Sequence, residues 1–167
     1  AAADMVRPLN VLFLCTHNSA RSVLAECLLN HLGGARFRAF SAGSQPSGRV
    51  NPFALQALAE QGIDTTGVRS KAWDEFAAPD APAMDLIITV CDSAAGETCP
   101  VWPGHPATAH WGYADPSATP GSDAAKLTAF RDTLALIRRR LEILVAMPDE
   151  RLHALALQQT ARDLAAH

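Results

Sequence analysis

Cys15 closes the apolar run LNVLFL (9–14), and Arg21 and Ser22 follow after the polar, glycine-free stretch Thr16, His17, Asn18, Ser19, Ala20. A thiol, a fixed cation and several peptide N–H groups at this C-x5-R-S spacing suit one task, the holding of a tetrahedral oxyanion against a nucleophile. Successive N–H groups that lead into a helix form an anion nest, and the helix dipole reinforces it. A guanidinium adds a bidentate grip. The same field favours thiolate over thiol. Ser22 can donate a further hydrogen bond to the sulfur. A free cysteine is more often a small buried hydrophobe. The arginine at this spacing, between a strand and a helix, argues against that for Cys15, whose predicted partner is an oxyanion such as phosphate or arsenate.

The elements that would position these groups can be read from hydrophobic pattern. LNVLFL (9–14), RFRAFSAG (36–43) and DLIITV (85–90) read as strands, with PATAHW (106–111) as a short fourth. Residues 19–32 carry a helical apolar stripe, with Cys27 on it and Gly33-Gly34 as the stop. Residues 51–63 read as a helix capped by Asn51 with Pro52 at its first position. A short helix is expected near 72–77, and a loop over the Pro- and Gly-rich 96–106. Residues 122–146 form a long helix whose Lys and Arg toward the end would favour its dipole. A weaker helix over 149–165 would pack Leu152, Leu155 and Leu164 on the body or on another subunit. The domain plan is one α/β catalytic domain over 5–147 and a C-terminal helical extension over 148–167.

Strands alternating with helices imply a parallel sheet covered on both faces. Sites in such sheets gather at the carboxyl ends of the strands. Cys15 follows the first strand, Cys91 the third, and Asp115 comes shortly after the fourth. These scattered residues therefore converge on one rim.

Bulk composition narrows the classes. The chain has 167 residues, 49% hydrophobic and 19% charged, with a net charge of −3. That excludes a basic nucleic-acid footprint. No apolar run reaches the roughly 20 residues of a membrane span. The opening AAADM has no basic segment followed by an apolar one, and Ala1 to Asp4 are left out of the fold reasoning. The expectation is a cytoplasmic protein whose four cysteines (15, 27, 91 and 99) stay reduced unless they work chemically.

CTHNSARS resembles the C-x5-R-[ST] loop of the low-molecular-weight protein tyrosine phosphatases. The likeness to arsenate reductases of that fold is closer. It is carried by Cys15 to Ser22, SAG (41–43), VCDSAAGETCP (90–100) and AHWGYADP (109–116), and covers residues 9 to about 146. The resemblance implies a three-layer α/β sandwich with a four-stranded parallel sheet in the order 2-1-3-4. It also implies an oxyanion cradle over residues 16–21 with Arg21, loop bracing by Asn18, and Asp115, before Pro116, as general acid.

The implied chemistry is a thiol relay, with a role in arsenic resistance. Cys15 attacks arsenate while Asp115 protonates a departing oxygen. Cys91 then forms a disulfide with Cys15, and Cys99 moves it to Cys91–Cys99. Phosphate or sulfate would compete for the cradle. No bound cofactor is expected, only an external thiol reductant. Thioredoxin is one candidate; glutathione with glutaredoxin, resolving the disulfide in place of Cys99, is the other. Some relatives hold potassium at positions matching Asn18, Glu26, Ser41 and an aspartate that is Lys71 here. An ammonium at that place would satisfy Glu26 and Asn18, so no potassium requirement is expected.

Two rival readings use the same residues. A phosphatase working through a Cys15 phosphoenzyme needs only Cys15, Arg21 and Asp115. Its usual aromatics after Asp-Pro are replaced by Ser117 and Ala118, however, and Ala20 stands where a second loop cysteine is common. A metal module of Cys91, Cys99, His105 and His110 has the spacing C-x7-C-x5-H-x4-H, which matches no structural zinc pattern.

Overall fold

The structure is a computed structural model and describes residues 8–91 and 108–152. Four parallel strands, β1 (Leu9–Cys15), β2 (Phe37–Gly43), β3 (Leu86–Thr89) and β4 (Thr108–His110), form one sheet in the order β2-β1-β3-β4. The expected order is therefore the one observed. Val11 pairs with both Ala39 and Leu86, and Leu14 with both Ala42 and Thr89, so the ends of β1 and β3 lie side by side.

β1 is apolar at every position but Asn10 because it is central and buried on both faces. Val11, Phe13 and Cys15 face a large core with the helices α1 (Arg21–Gly33), α2 (Pro52–Glu60) and α3 (Asp123–Val145). Leu12 and Leu14 face a smaller one with Ala42 and Ile87, closed by Phe40, Trp73, Phe76 and Met84. The short helix expected near 72–77 is a 3₁₀ turn, Trp73–Phe76, and it forms part of that second layer.

The helix ends show why the chain turns where it does. Asn51 Oδ1 accepts from Phe53 N at 2.9 Å, and Pro52 fills the first position of α2. Ser122 Oγ accepts from Ala125 N at 3.2 Å at the start of α3. The last turn of α3 holds no basic residue, contrary to the dipole argument made from its sequence. Arg138 to Arg140 lie too far back along the helix. Arg36 does that work from a distance, donating to Val145 O at 2.7 Å and to Met147 O. Arg36 was expected in the second strand and sits instead in a 3₁₀ turn (Gly34–Arg36) before it.

A helical segment begins at Asp149 after Pro148, and Leu152 is buried in the main core. The remainder of the expected terminal helix, with Leu155 and Leu164, lies outside the described residues. So do Cys99 and His105. Among the described residues, no helix is long and apolar enough to cross a membrane.

Candidate active site

β1 delivers Cys15 to the sheet rim, and the chain then wraps around its sulfur before α1 begins. The helix starts at Arg21, two residues later than its apolar stripe suggests, so Ser19 and Ala20 remain in the loop. No side chain caps α1. Its first-turn N–H groups are thus left to the loop side, where an anion would sit.

The loop is held open from outside. Cys15 O accepts from Ser44 N at 3.3 Å, Thr16 O from Gln45 N at 2.8 Å, His17 O from Ser47 N at 3.0 Å, and Ser19 O from Asn51 N at 2.9 Å. Ser70 Oγ also donates to His17 O at 3.0 Å. A trans peptide aims its N–H opposite to its carbonyl. Carbonyls turned outward therefore aim the following N–H groups inward. Asn18 N illustrates this, pointing at Cys15 Sγ at 3.2 Å. Ser22 Oγ lies 2.9 Å from the same sulfur.

Asn18 takes the left-handed conformation (φ +49°), which Asn tolerates better than most residues. Its buried side chain is the hub of the loop. Nδ2 donates to Ser22 Oγ at 2.8 Å and to Ser41 Oγ at 2.9 Å, and Oδ1 accepts from Lys71 N at 2.9 Å. Ser41 donates in turn to Glu26 Oε1. The Lys71 ammonium lies 3.8 Å from Glu26 Oε1 and donates to Arg69 O at 2.9 Å. The expected arrangement needs one amendment: Asn18 is satisfied by the Lys71 main chain, and only Glu26 by its ammonium. Burial pushes the Glu26 carboxyl up, with Lys71 and Ser41 acting against it; burial likewise pushes Lys71 down.

Arg21 is 4% exposed and enters the site from the first turn of α1. One guanidinium nitrogen donates to Tyr113 O at 2.9 Å, and the other lies 3.8 Å from Asp115 Oδ2. Asp115 Oδ1 accepts from Ser117 N at 3.0 Å, as in an Asx turn. Thiol, guanidinium and acid are thereby brought to one rim. Cys91 comes just after β3, with Val90 N bonded to Leu14 O at 2.9 Å, next to the strand that carries Cys15. Cys91 is fully buried and disulfide-bonded, whereas Cys15 and Cys27 carry free thiols. Cys27 packs in the core as its place on the stripe suggests, and burial raises its thiol to about 12. His17 is exposed, and His110 Nδ1 lies 2.8 Å from Thr89 Oγ1.

Two contributors escape a reading by residue type. Tyr113 offers its main-chain carbonyl, which carries no sequence signature. Gly43 is needed because a Cβ there would come 2.5 Å from Thr16 O and 3.0 Å from Asn18 N. A glycine at a strand end is a signal of close backbone approach, and SAG contained it.

With this geometry in view, similarity to known proteins becomes informative. The family model described as low molecular weight phosphotyrosine protein phosphatase matches residues 10–158. The arsenate reductase of Bacillus subtilis is 36% identical over 132 residues, 79% of this chain and 91% of that one. The crystal structure of arsenate reductase from Archaeoglobus fulgidus is 33% identical with a TM-score of 0.67, covering 82% of this chain and 99% of that one. An arsenate reductase in the phosphate binding state is 28% identical with a TM-score of 0.62, covering 83% and 97%. The chain belongs to the low molecular weight phosphotyrosine protein phosphatase family, on its arsenate reductase branch.

Proposed function

We propose that this protein reduces arsenate to arsenite through a relay of its own thiols. The observation that carries the proposal is the pair of strand ends: a free Cys15 thiol at the floor of an N–H-lined loop, and a disulfide-bonded Cys91 just past the end of the neighbouring strand. Phosphoenzyme hydrolysis needs only the first.

Arsenate enters the cradle of residues 16–22, neutralised by the inward N–H groups and Arg21. Asn18, Glu26, Ser41 and Lys71 keep the loop shaped. Cys15 sulfur bonds to arsenic, and one oxygen leaves as water with a proton from Asp115. The Cys91 thiol, losing its proton, attacks Cys15 sulfur. The sulfur–arsenic bond breaks with its electron pair on arsenic, so As(V) leaves as As(III) and two thiols become one disulfide. Cys99 then attacks Cys91 and frees Cys15 as a thiolate. An external thiol reductant, thioredoxin or glutaredoxin with glutathione, returns the two electrons. Phosphate and sulfate, of the same shape, compete for the cradle. The Lys71 ammonium beside Glu26 supports activity without a potassium ion.

The test is arsenite formation by the full chain with each thiol reductant, beside hydrolysis of an aryl phosphate. Reduction lost in both Cys15→Ser and Cys91→Ser is expected. Rapid aryl phosphate cleavage that survives in Cys91→Ser, with no arsenite formed by wild type, assigns the protein to the phosphatases instead.

A further inference from the structure

We infer that Arg140, on α3, is a positioning residue that sets the oxyanion grip of Arg21. The guanidinium of Arg140 lies 5.1 Å from the ring centroid of Tyr113 and 6.0 Å from that of Trp111. Both rings are buried, at 6% and 0% exposure. A planar cation over two aromatic faces is held by dispersion and by the ring quadrupoles, more strongly when desolvated. It ties α3 to the segment that leaves β4.

That segment is what the active site uses. Trp111 N donates to Thr89 O at 2.7 Å, which anchors its start. Tyr113 O, two residues on, accepts from Arg21. Asp115, two further, faces the other guanidinium nitrogen. Among the described residues the stretch from 112 to 115 pairs with no strand, and its buried Tyr113 ring is the handle that meets α3. Held on Arg140, the ring fixes where the Tyr113 carbonyl stands. The carbonyl fixes one edge of the Arg21 guanidinium, leaving its orientation toward the loop determined. Arg140 acts through Tyr113 on Arg21 and touches no oxyanion itself.

The inference rests on the cradle reading of the Cys15–Ser22 loop, and titration with inorganic phosphate separates the two. Arg21→Ala should abolish phosphate binding; unchanged affinity there would overturn the cradle itself. Arg140→Met keeps length and removes the cation. It should weaken phosphate binding and raise KM for arsenate about tenfold, with kcat within about threefold. Arg140→Lys keeps the charge but loses the planar stack, and an affinity between those of wild type and Arg140→Met is expected. Arg138→Met, at a residue of α3 that pairs with Gln61 and Glu142, should bind phosphate as wild type does. Phosphate affinity unchanged in both Arg140 variants while Arg21→Ala loses it would overturn the inference alone. So would equal losses in Arg140→Met and Arg138→Met, which would mark a general effect of disturbing α3.

Discussion

Gly43→Ala adds one carbon where the loop has no room for it. The new Cβ would stand 2.5 Å from Thr16 O, 3.0 Å from Asn18 N and 3.1 Å from Asn18 Cβ. Main-chain atoms and a Cβ cannot turn away by a change of rotamer. Ordinary contact begins near 3.4 Å, so the loop must retreat by about 0.9 Å. Thr16 O then loses its bond to Gln45 N, about 1 kcal/mol net. Overpacking adds roughly 1–3 kcal/mol. A displacement near 1 Å at the reacting geometry costs on the order of a hundredfold in rate. Stability should therefore fall by about 2–4 kcal/mol in urea unfolding, while kcat/KM for arsenate falls on the order of a hundredfold. Gly62→Ala is the control. Its φ of +70° strains an alanine, but nothing lies within 4 Å of the new carbon. It should lose about 1 kcal/mol and keep full turnover. Turnover of Gly43→Ala within threefold of wild type, with phosphate affinity unchanged, would refute the claim that this close approach shapes the loop.

Other expectations follow from the bracing network. Lys71→Met leaves the Glu26 carboxylate, 16% exposed, without its counter-charge. Because burial already raises Glu26 in the fold, its ionisation opposes folding: the variant's deficit should be near zero at about pH 4 and approach about 2 kcal/mol by pH 8. Stability curves of the two proteins that run parallel across that range would contradict this. Asn18→Ala removes the hub of three hydrogen bonds and strains φ +49°; Asn18→Gly removes only the bonds, so it should recover about 1 kcal/mol of the loss in thermal melts. Cys27→Ala should retain turnover within about twofold. Native Cys27, its thiol raised to about 12, should resist alkylation at pH 8 as read by mass spectrometry.

The sheet was legible because its central strands are short, mostly apolar and bounded by polar or turn residues, as at 9–14 and 85–90. Strand ends then placed Cys15, Cys91 and Asp115 together, a conclusion that needs topology but no side-chain detail. What lay hidden was the contribution of the main chain. The outward carbonyls of Cys15, Thr16, His17 and Ser19 are fixed by N–H groups of residues 44, 45, 47 and 51, and any sequence has N–H groups there. Tyr113 serves through its carbonyl for the same reason. Lys71 was placed correctly as a neighbour of Glu26 but given a bond to Asn18 that its own amide makes. The dipole of α3 was assigned to residues on its own helix, although the group that meets its last carbonyls is Arg36, over a hundred residues earlier in the chain.

The relay itself is tested most directly by trapping its first disulfide. Fully reduced Cys99→Ser protein, mixed with one equivalent of arsenate and no added thiol, should release one equivalent of arsenite. Peptide mapping by mass spectrometry should then find Cys15 joined to Cys91. Arsenite released with Cys15 and Cys91 still reduced, or a Cys15–Cys91 bond formed equally well without arsenate, would contradict the account.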